Sequence, residues 1–175
     1  YIYGGIVDGS VVNNFYKIDT TSDIIIEINF TGDSITARES HSMVAIGKDI
    51  YIYGGNVDNS AVNNFYKIDT TTIRTDLSDL SVSVSVEEIT ITGTTSISRR
   101  ESHSMVAIET DIYIFGGYYY DKGHFYLNDF YKIDTTTIST DLSDLSVSVE
   151  EITITGTTSI GKRSGHSMVA IGDNI

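Results

Sequence analysis

Residues 38–72 read RESHSMVAIGKDIYIYGGNVDNSAVNNFYKIDTTT, and most of the chain is a near copy of that stretch. RESHSMVAI at 38–46 returns at 100–108 and, as RSGHSMVAI, at 163–171. YIYGG at 51–55 also stands at 1–5 and recurs as YIFGG at 113–117, while NNFYKIDTT at 63–71 matches 13–21 and, as NDFYKIDTT, 128–136. Corresponding glycines lie 50 residues apart from Gly4 to Gly54 and 62 apart from Gly54 to Gly116. That period belongs to arrays of sheet-sized units such as propeller blades, not to short-period solenoids. The repeats divide the chain at 1–37, 38–99, 100–162 and 163–175.

Within one repeat the side-chain alternation changes in a graded way. His41 to Ile46 and Ile50 to Tyr53 carry apolar groups on both faces, which predicts two strands buried on both sides. Gly54-Gly55 ends the second, where a bulge or a close backbone approach excludes a Cβ. A polar loop precedes a third strand over 64–69, with Tyr66 and Ile68 on one face. A fourth over 88–92 alternates cleanly, with Ile89 and Ile91 inward, and its counterpart at 23–30 has Ile24, Ile26, Ile28 and Phe30 in phase. Half-burial marks an outer strand. Four antiparallel strands graded in this way cannot hide their faces alone, and radial stacking of such sheets satisfies the pattern. An immunoglobulin-like sandwich would not explain near-identical four-strand blocks.

The connections differ between repeats. TDLSDLSVSVSV at 75–86 and TDLSDLSVSV at 140–149 precede the fourth strand in two repeats and are missing from the first. The copies differ by one Ser-Val pair, and an even change preserves the facing of everything downstream. The insert reads as a tolerated slip in an edge extension, with Leu77 and Leu80 as a short apolar tether.

The 175 residues are 40% hydrophobic, enough for one domain with a core. No apolar run approaches membrane-spanning length. The formal charge of −13 argues against a nucleic-acid partner, which requires clustered Lys and Arg. Zero cysteines exclude disulfides and thiolate zinc sites and leave the compartment open, with the cytoplasm slightly favoured. The sequence opens and closes inside a repeat, which reads as an excerpt of a longer polypeptide. Asn29-Phe30-Thr31 is a lone glycosylation sequon.

Arg-x-x-His-Ser, then Ile-Tyr-Ile-Tyr-Gly-Gly, then Asn-x-Phe-Tyr-Lys-Ile-Asp resembles the kelch repeat, and the resemblance covers essentially the whole chain. It implies an all-β, kelch-type β-propeller segment of about three four-stranded antiparallel blades, twelve strands in all. Kelch repeats usually carry a Trp on the outer strand; here Ile26, Ile89 or Ile152 stands in that core-facing series, which predicts thinner packing between blades. Most relatives look like protein-binding modules and a minority are enzymes, so the fold does not fix a chemistry.

Three groups of residues are candidates for function. Arg38, Arg100 and Arg163 precede the innermost strand, and in kelch modules that bind acidic peptides arginines at the matching place line the propeller mouth. The competing reading pairs each with an acid such as Glu39, Glu101 or a loop Asp. His41, His103 and His166 recur at one blade position, either as metal ligands or as structural groups bonded to a turn; with no carboxylate or thiol recurring beside them, the structural reading is preferred and no metal is assigned. The segment 118–127, YYYDKGHFYL, is three residues longer than its counterpart and brings Tyr118, Tyr119, Tyr120, Phe125 and Tyr126 together, as a recognition surface or as cover for the neighbouring blade.

No catalytic residues and no cofactor are assigned. A galactose-oxidase-like copper centre resembles this composition in its Tyr and His, but it needs a Tyr cross-linked to Cys. Glu87-Glu88 and Glu150-Glu151 point to opposite faces and do not converge as an acid/base pair. The expected function is a non-catalytic protein-binding scaffold for a protein or peptide, acidic if the arginines form a mouth; the alternative is a fragment of a galactose-oxidase-like or sugar-acting propeller enzyme. About four to eight blades close a ring, so three imply an open arc with Tyr1–Tyr3 and Ser167–Ile171 as edge strands. Further blades of a parent chain, or a second copy giving a six-bladed ring, would complete it.

Overall fold

The computed structural model describes residues 1–31, 34–76, 81–141 and 143–175, so the tether expected of Leu77 and Leu80 lies outside the described residues. The described residues are all-β apart from two short 3₁₀ turns. The first blade comprises Ile2–Tyr3, Phe15–Asp19 and Ile24–Thr31; the second Ser42–Ile46, Asp49–Tyr53, Phe65–Asp69 and Ser81–Thr92; the third Ser104–Ile108, Asp111–Phe115, Phe130–Asp134 and Glu150–Glu151. Strands within each blade are antiparallel neighbours in chain order. Among the described residues no helix is long and apolar enough to cross a membrane.

The recurrent Lys-Ile-Asp-Thr-Thr is a strand with its own stop. Asp69 Oδ1 accepts from the Thr71 N–H at 2.8 Å and from its hydroxyl at 2.6 Å, capping the turn Thr70–Thr72. Asp134 caps Thr135–Thr137 in the same way, and Asp19 holds Thr21. These bonds to the ionised form hold the Asp19 carboxyl down to about 2.

In the middle blade Ile50 to Tyr53 is buried on both faces, whereas Ser42–Ile46, expected to be buried likewise, is only partly covered. Ile50, Ile52, Tyr66, Ile68, Val84 and Val86 pack with Tyr3, Phe15 and Ile28 of the first blade. Tyr51, Tyr53, Phe65 and Ile89 pack with Met105, Ile112, Ile114, Tyr131, Ile133 and Val147 of the third. Register places Ile28 opposite Phe15 as Ile89 stands opposite Phe65, so the counterpart of Ile89 is Ile28 and not Ile26. Glu87 lies opposite Lys67 and Glu88 opposite Tyr66, and the inward series changes face across this pair, from Val84 and Val86 to Ile89.

Two expectations change. The Ser-Val inserts are not loose edge extensions. Ser83–Ser85 pair in parallel with Asn29–Thr31 of the preceding blade, and Ser146–Ser148 pair in parallel with Thr90–Thr92. Thr31 Oγ1 donates to the Val84 carbonyl at 3.3 Å and Thr92 Oγ1 to the Val147 carbonyl at 3.4 Å, so hydroxyls reinforce the joint. The outer strand of one blade is thus hydrogen-bonded to the insert of the next, and the first two blades share one continuous sheet. The expected twelfth strand, Ser167–Ile171, is also not formed: only the bridge Ile171–Asn174 is made, and Val169 and Ile171 are exposed.

The double glycine is a point of backbone contact between blades. A Cβ on Gly54 would lie 2.5 Å from the Arg100 carbonyl oxygen, and one on Gly55 2.7 Å from that of Glu39, both at positive φ. Gly5 shares the φ of Gly55, +94°, with nothing within 4 Å of its Cβ position. Gly5→Ala should therefore show backbone strain alone, about 1–2 kcal/mol. Gly55→Ala should lose a further 1–3 kcal/mol, roughly, to the clash. Urea denaturation of the two variants checks this; equal losses would remove the steric argument.

Candidate functional site

Between its second and third strands each blade carries a small hairpin: Ile6–Val7 with Ser10–Val11, Asn56–Val57 with Ser60–Ala61, and Tyr118–Tyr120 with His124–Tyr126. The segments read as loops are therefore ordered ladders. Val-Asp-Gly-Ser and Val-Asp-Asn-Ser contained the signal, because Asp8-Gly9 and Asp58-Asn59 supply the two positive φ values that a two-residue turn matching strand twist requires. The third hairpin is widened by Asp121-Lys122-Gly123.

The segment leading to each innermost strand threads between consecutive hairpins. The Arg38 carbonyl accepts from Gly5 N–H, that of Arg100 from Gly55 N–H and that of Arg163 from Gly117 N–H, at 2.8–2.9 Å. One residue later, Glu39 exchanges backbone bonds with Asn56, and Glu101 with Tyr118. Glu101 is itself buried, its carboxylate accepting from Asn56 Nδ2 at 2.9 Å.

This threading decides where the arginines go. Arg38 and Arg100 are fully buried. Arg38 donates to the Gly54 carbonyl, the Thr36 carbonyl and hydroxyl, and the Tyr66 hydroxyl, with its guanidinium 4.9 Å from the Tyr66 ring centre. Arg100 donates to Gly116 and Ser98 and forms a two-pronged pair with Asp129, each prong 2.8 Å, over Tyr131. The expected acidic partner is thus present for Arg100 as a loop Asp, and replaced by carbonyls and hydroxyls for Arg38, where Asn64 stands in place of Asp129. Arg163 is exposed, its Nε donating to Gly161. The three are not gathered at an open mouth, because two spend their donors inside the seam between blades.

The histidines are wedged into the same seam. A Cβ on Gly54 would lie 3.0 Å from His103 Cε1, and one on Gly117 2.8 Å from His103 Cβ, so this ring sits between the double glycines of two blades. His41, His103 and His166 stand edge-on to Tyr3, Tyr53 and Phe115 at 5.3–5.6 Å. The bond to a turn expected of them is not made: His41 Nδ1 and both ring nitrogens of His103 and His166 are buried without partners. Among the described residues no three His, Asp or Glu side chains are grouped as a metal would need. Burial, with the neighbouring Arg38 or Arg100 charge second, holds His41 down to about 4 and His103 to about 3, and His166 is lowered for the same reasons by burial and Arg163. Tyr53 donates to the Ile97 and Ser98 carbonyls and Tyr3 to those of Ile35 and Thr36, tying each seam to the returning loop.

The aromatic hairpin is the exposed cluster. Tyr118 faces Tyr126 with ring centres 5.7 Å apart, Tyr119 stacks on Phe125 at 5.1 Å, and Tyr120 meets His124 edge-on at 5.4 Å. Tyr118 and Tyr119 are half-buried, whereas Tyr120 is 60% exposed, Phe125 46% and Tyr126 47%. His124 and Arg99, which sequence reasoning passed over, belong to the cluster: His124 joins the ring ladder, and the Arg99 guanidinium lies 5.3 Å from the Tyr119 ring centre, paired with Asp121 at 3.4 Å. The period-two placement of His124 opposite Tyr120 was the available signal.

A graded four-stranded unit, its double glycine and its internal Arg and Tyr bonds define a propeller blade. The kelch motif matches residues 37–72 and 99–137, and the chain carries kelch repeats. No curated protein matches the sequence. Among solved structures the backbone is similar to a chain in a cryo-EM structure of RAG in complex with one melted RSS and one unmelted RSS, at 14% identity and a TM-score of 0.54, over 80% of this chain and 44% of that one. The present chain spans less than half the length of that chain, and the likeness concerns the fold.

Arg100→Ala would strand Asp129 and the Gly116 carbonyl and should cost about 3–5 kcal/mol, with Arg38→Ala comparably disruptive and Arg163→Ala leaving the thermal midpoint nearly unchanged; differential scanning calorimetry distinguishes them. Stability should also depend on pH through the histidines. Their folded values lie below the ordinary one, so the unfolded chain takes up protons first. Stability is full above about pH 6.5 and falls as pH drops through the interval towards 4 and 3. The midpoint should decline between pH 7 and 5, before most carboxylates titrate, and His41→Gln/His103→Gln should flatten that limb.

Proposed function

We propose that this chain is a non-catalytic protein-binding scaffold whose docking surface is the hairpin bearing Tyr118, Tyr119, Tyr120, Phe125 and Tyr126. The observation that carries this reading is the exposure of Tyr120, Phe125 and Tyr126 on a two-stranded ladder. Kelch repeats are generally modules of protein interaction. Aromatic side chains offer large contact area at low conformational cost, and they dominate the energetics of interfaces. The hairpin is anchored through the Glu101–Tyr118 backbone bridge to the segment that holds Arg100 in the seam, so its rings are presented on a fixed base.

The test compares affinity capture from source cells by the wild-type chain and by Tyr120→Ser/Phe125→Ser/Tyr126→Ser, with mass spectrometry of the retained proteins. Partners should be lost from the variant while its stability stays within about 0.5 kcal/mol of wild type, as for other surface changes. An unchanged set of retained proteins would dismiss the hairpin as the docking surface.

A further inference from the structure

The two faces of the aromatic hairpin differ in what already covers them, and that difference, resting on the docking role just proposed, defines the chemistry of the partner. On one face Tyr119 and Phe125 stack at an interplanar angle of 9°, and Arg99 lies over Tyr119 held by Asp121. That face already seats a cation of the chain itself.

The opposite face carries Tyr118, Tyr120, His124 and Tyr126, since alternate residues of a strand share a side. Three of its rings form a continuous ladder: Tyr118 to Tyr126 at 5.7 Å, Tyr118 to His124 at 5.9 Å and His124 to Tyr126 at 6.5 Å. Among the described residues the cations lying over aromatic rings are Arg38, Arg99 and Arg100, none of them over this ladder. Two carboxylates, Glu101 and Glu39, lie within electrostatic reach of Tyr118. Glu101 is joined to Tyr118 through both backbone bonds, and the Glu101 and Glu39 carboxylates both raise the Tyr118 hydroxyl above its ordinary value, the Glu101 hydrogen bond most. The chain as a whole carries −13.

A ring face attracts cations through its quadrupole, and carboxylates beside it add to that attraction and repel an anion. We propose that the Tyr118–His124–Tyr126 face seats a cationic side chain of a partner protein, arginine above all, whose planar guanidinium stacks as Arg99 does on Tyr119. The partner is therefore basic at the point of contact. This reverses the acidic partner implied by an arginine-lined mouth, since Arg38 and Arg100 are consumed within the seams.

The experiment titrates the isotopically labelled chain with N-acetyl-arginine amide and, at matched ionic strength, with N-acetyl-glutamate amide, reading the ring resonances by NMR. Saturable shifts at Tyr118, His124 and Tyr126 with the arginine probe, absent with the glutamate probe and lost in Tyr118→Leu/Tyr126→Leu, are expected. Equal response to both probes, no response at the ladder, or shifts spread over the acidic surface and unchanged in the variant would overturn the proposal. The docking role is separated from it by the captured proteins. If partners need the exposed rings but none of their Arg or Lys residues cross-links to the ladder, docking stands and the cationic contact falls. If partners are retained without the rings, both fall.

Discussion

The structure depends on the close approach of one backbone to another at the double glycine. Each buried arginine before an innermost strand, Arg38 and Arg100, takes part twice. Its carbonyl accepts from the second glycine of the preceding blade, as Arg100 does from Gly55, and its guanidinium donates to the first glycine of its own blade, as Arg100 does to Gly116. One residue thus joins consecutive double glycines, and the histidine three positions on fills the remaining space between them. A side chain on either glycine would force these groups apart, which accounts for YIYGG and Arg-x-x-His recurring together.

A second joint lies at the outer rim. Alternating Ser and Val suits it, because valines face the core and serines face outward while the backbone pairs in parallel with the neighbouring blade. Packing between blades therefore does not rest on the central seam alone, and the outer-strand Ile28 and Ile89 are supplemented by Val84, Val86 and Val147 in the two cores.

Legibility followed the range of the interaction. The second strand buried on both faces, the double glycine and the opposed Glu87-Glu88 pair could be read because alternation and steric exclusion are local properties, whereas the fuller burial expected of Ser42–Ile46 is not reached. The parallel pairing of inserts could not, since Ser-Val alternation specifies a strand and not the strand beside it. The fate of Arg38 and Arg100 was equally hidden: a cation recurring in every blade suits a binding mouth and an internal staple alike, and only the 16-residue reach to Gly54 and Gly116 separates the two. The aromatic cluster was visible as composition, but its division into an Arg99-capped face and a bare face depends on hairpin register. The hairpins themselves were missed although Asp-Gly and Asp-Asn announced them.

The rim joint gives the array a direction. The insert of a blade adds to a fourth strand that stands earlier in the chain, Ser83–Ser85 on Asn29–Thr31 and Ser146–Ser148 on Thr90–Thr92. Each completed blade is a template for the next, and no blade needs a later insert before its own strands can pair. During synthesis, when amino-terminal segments are first to become available, growth can follow the ribosome, with every new Ser-Val segment meeting an edge already in place. The same edge, once occupied, is withdrawn from the strand-to-strand aggregation that exposed sheet borders invite.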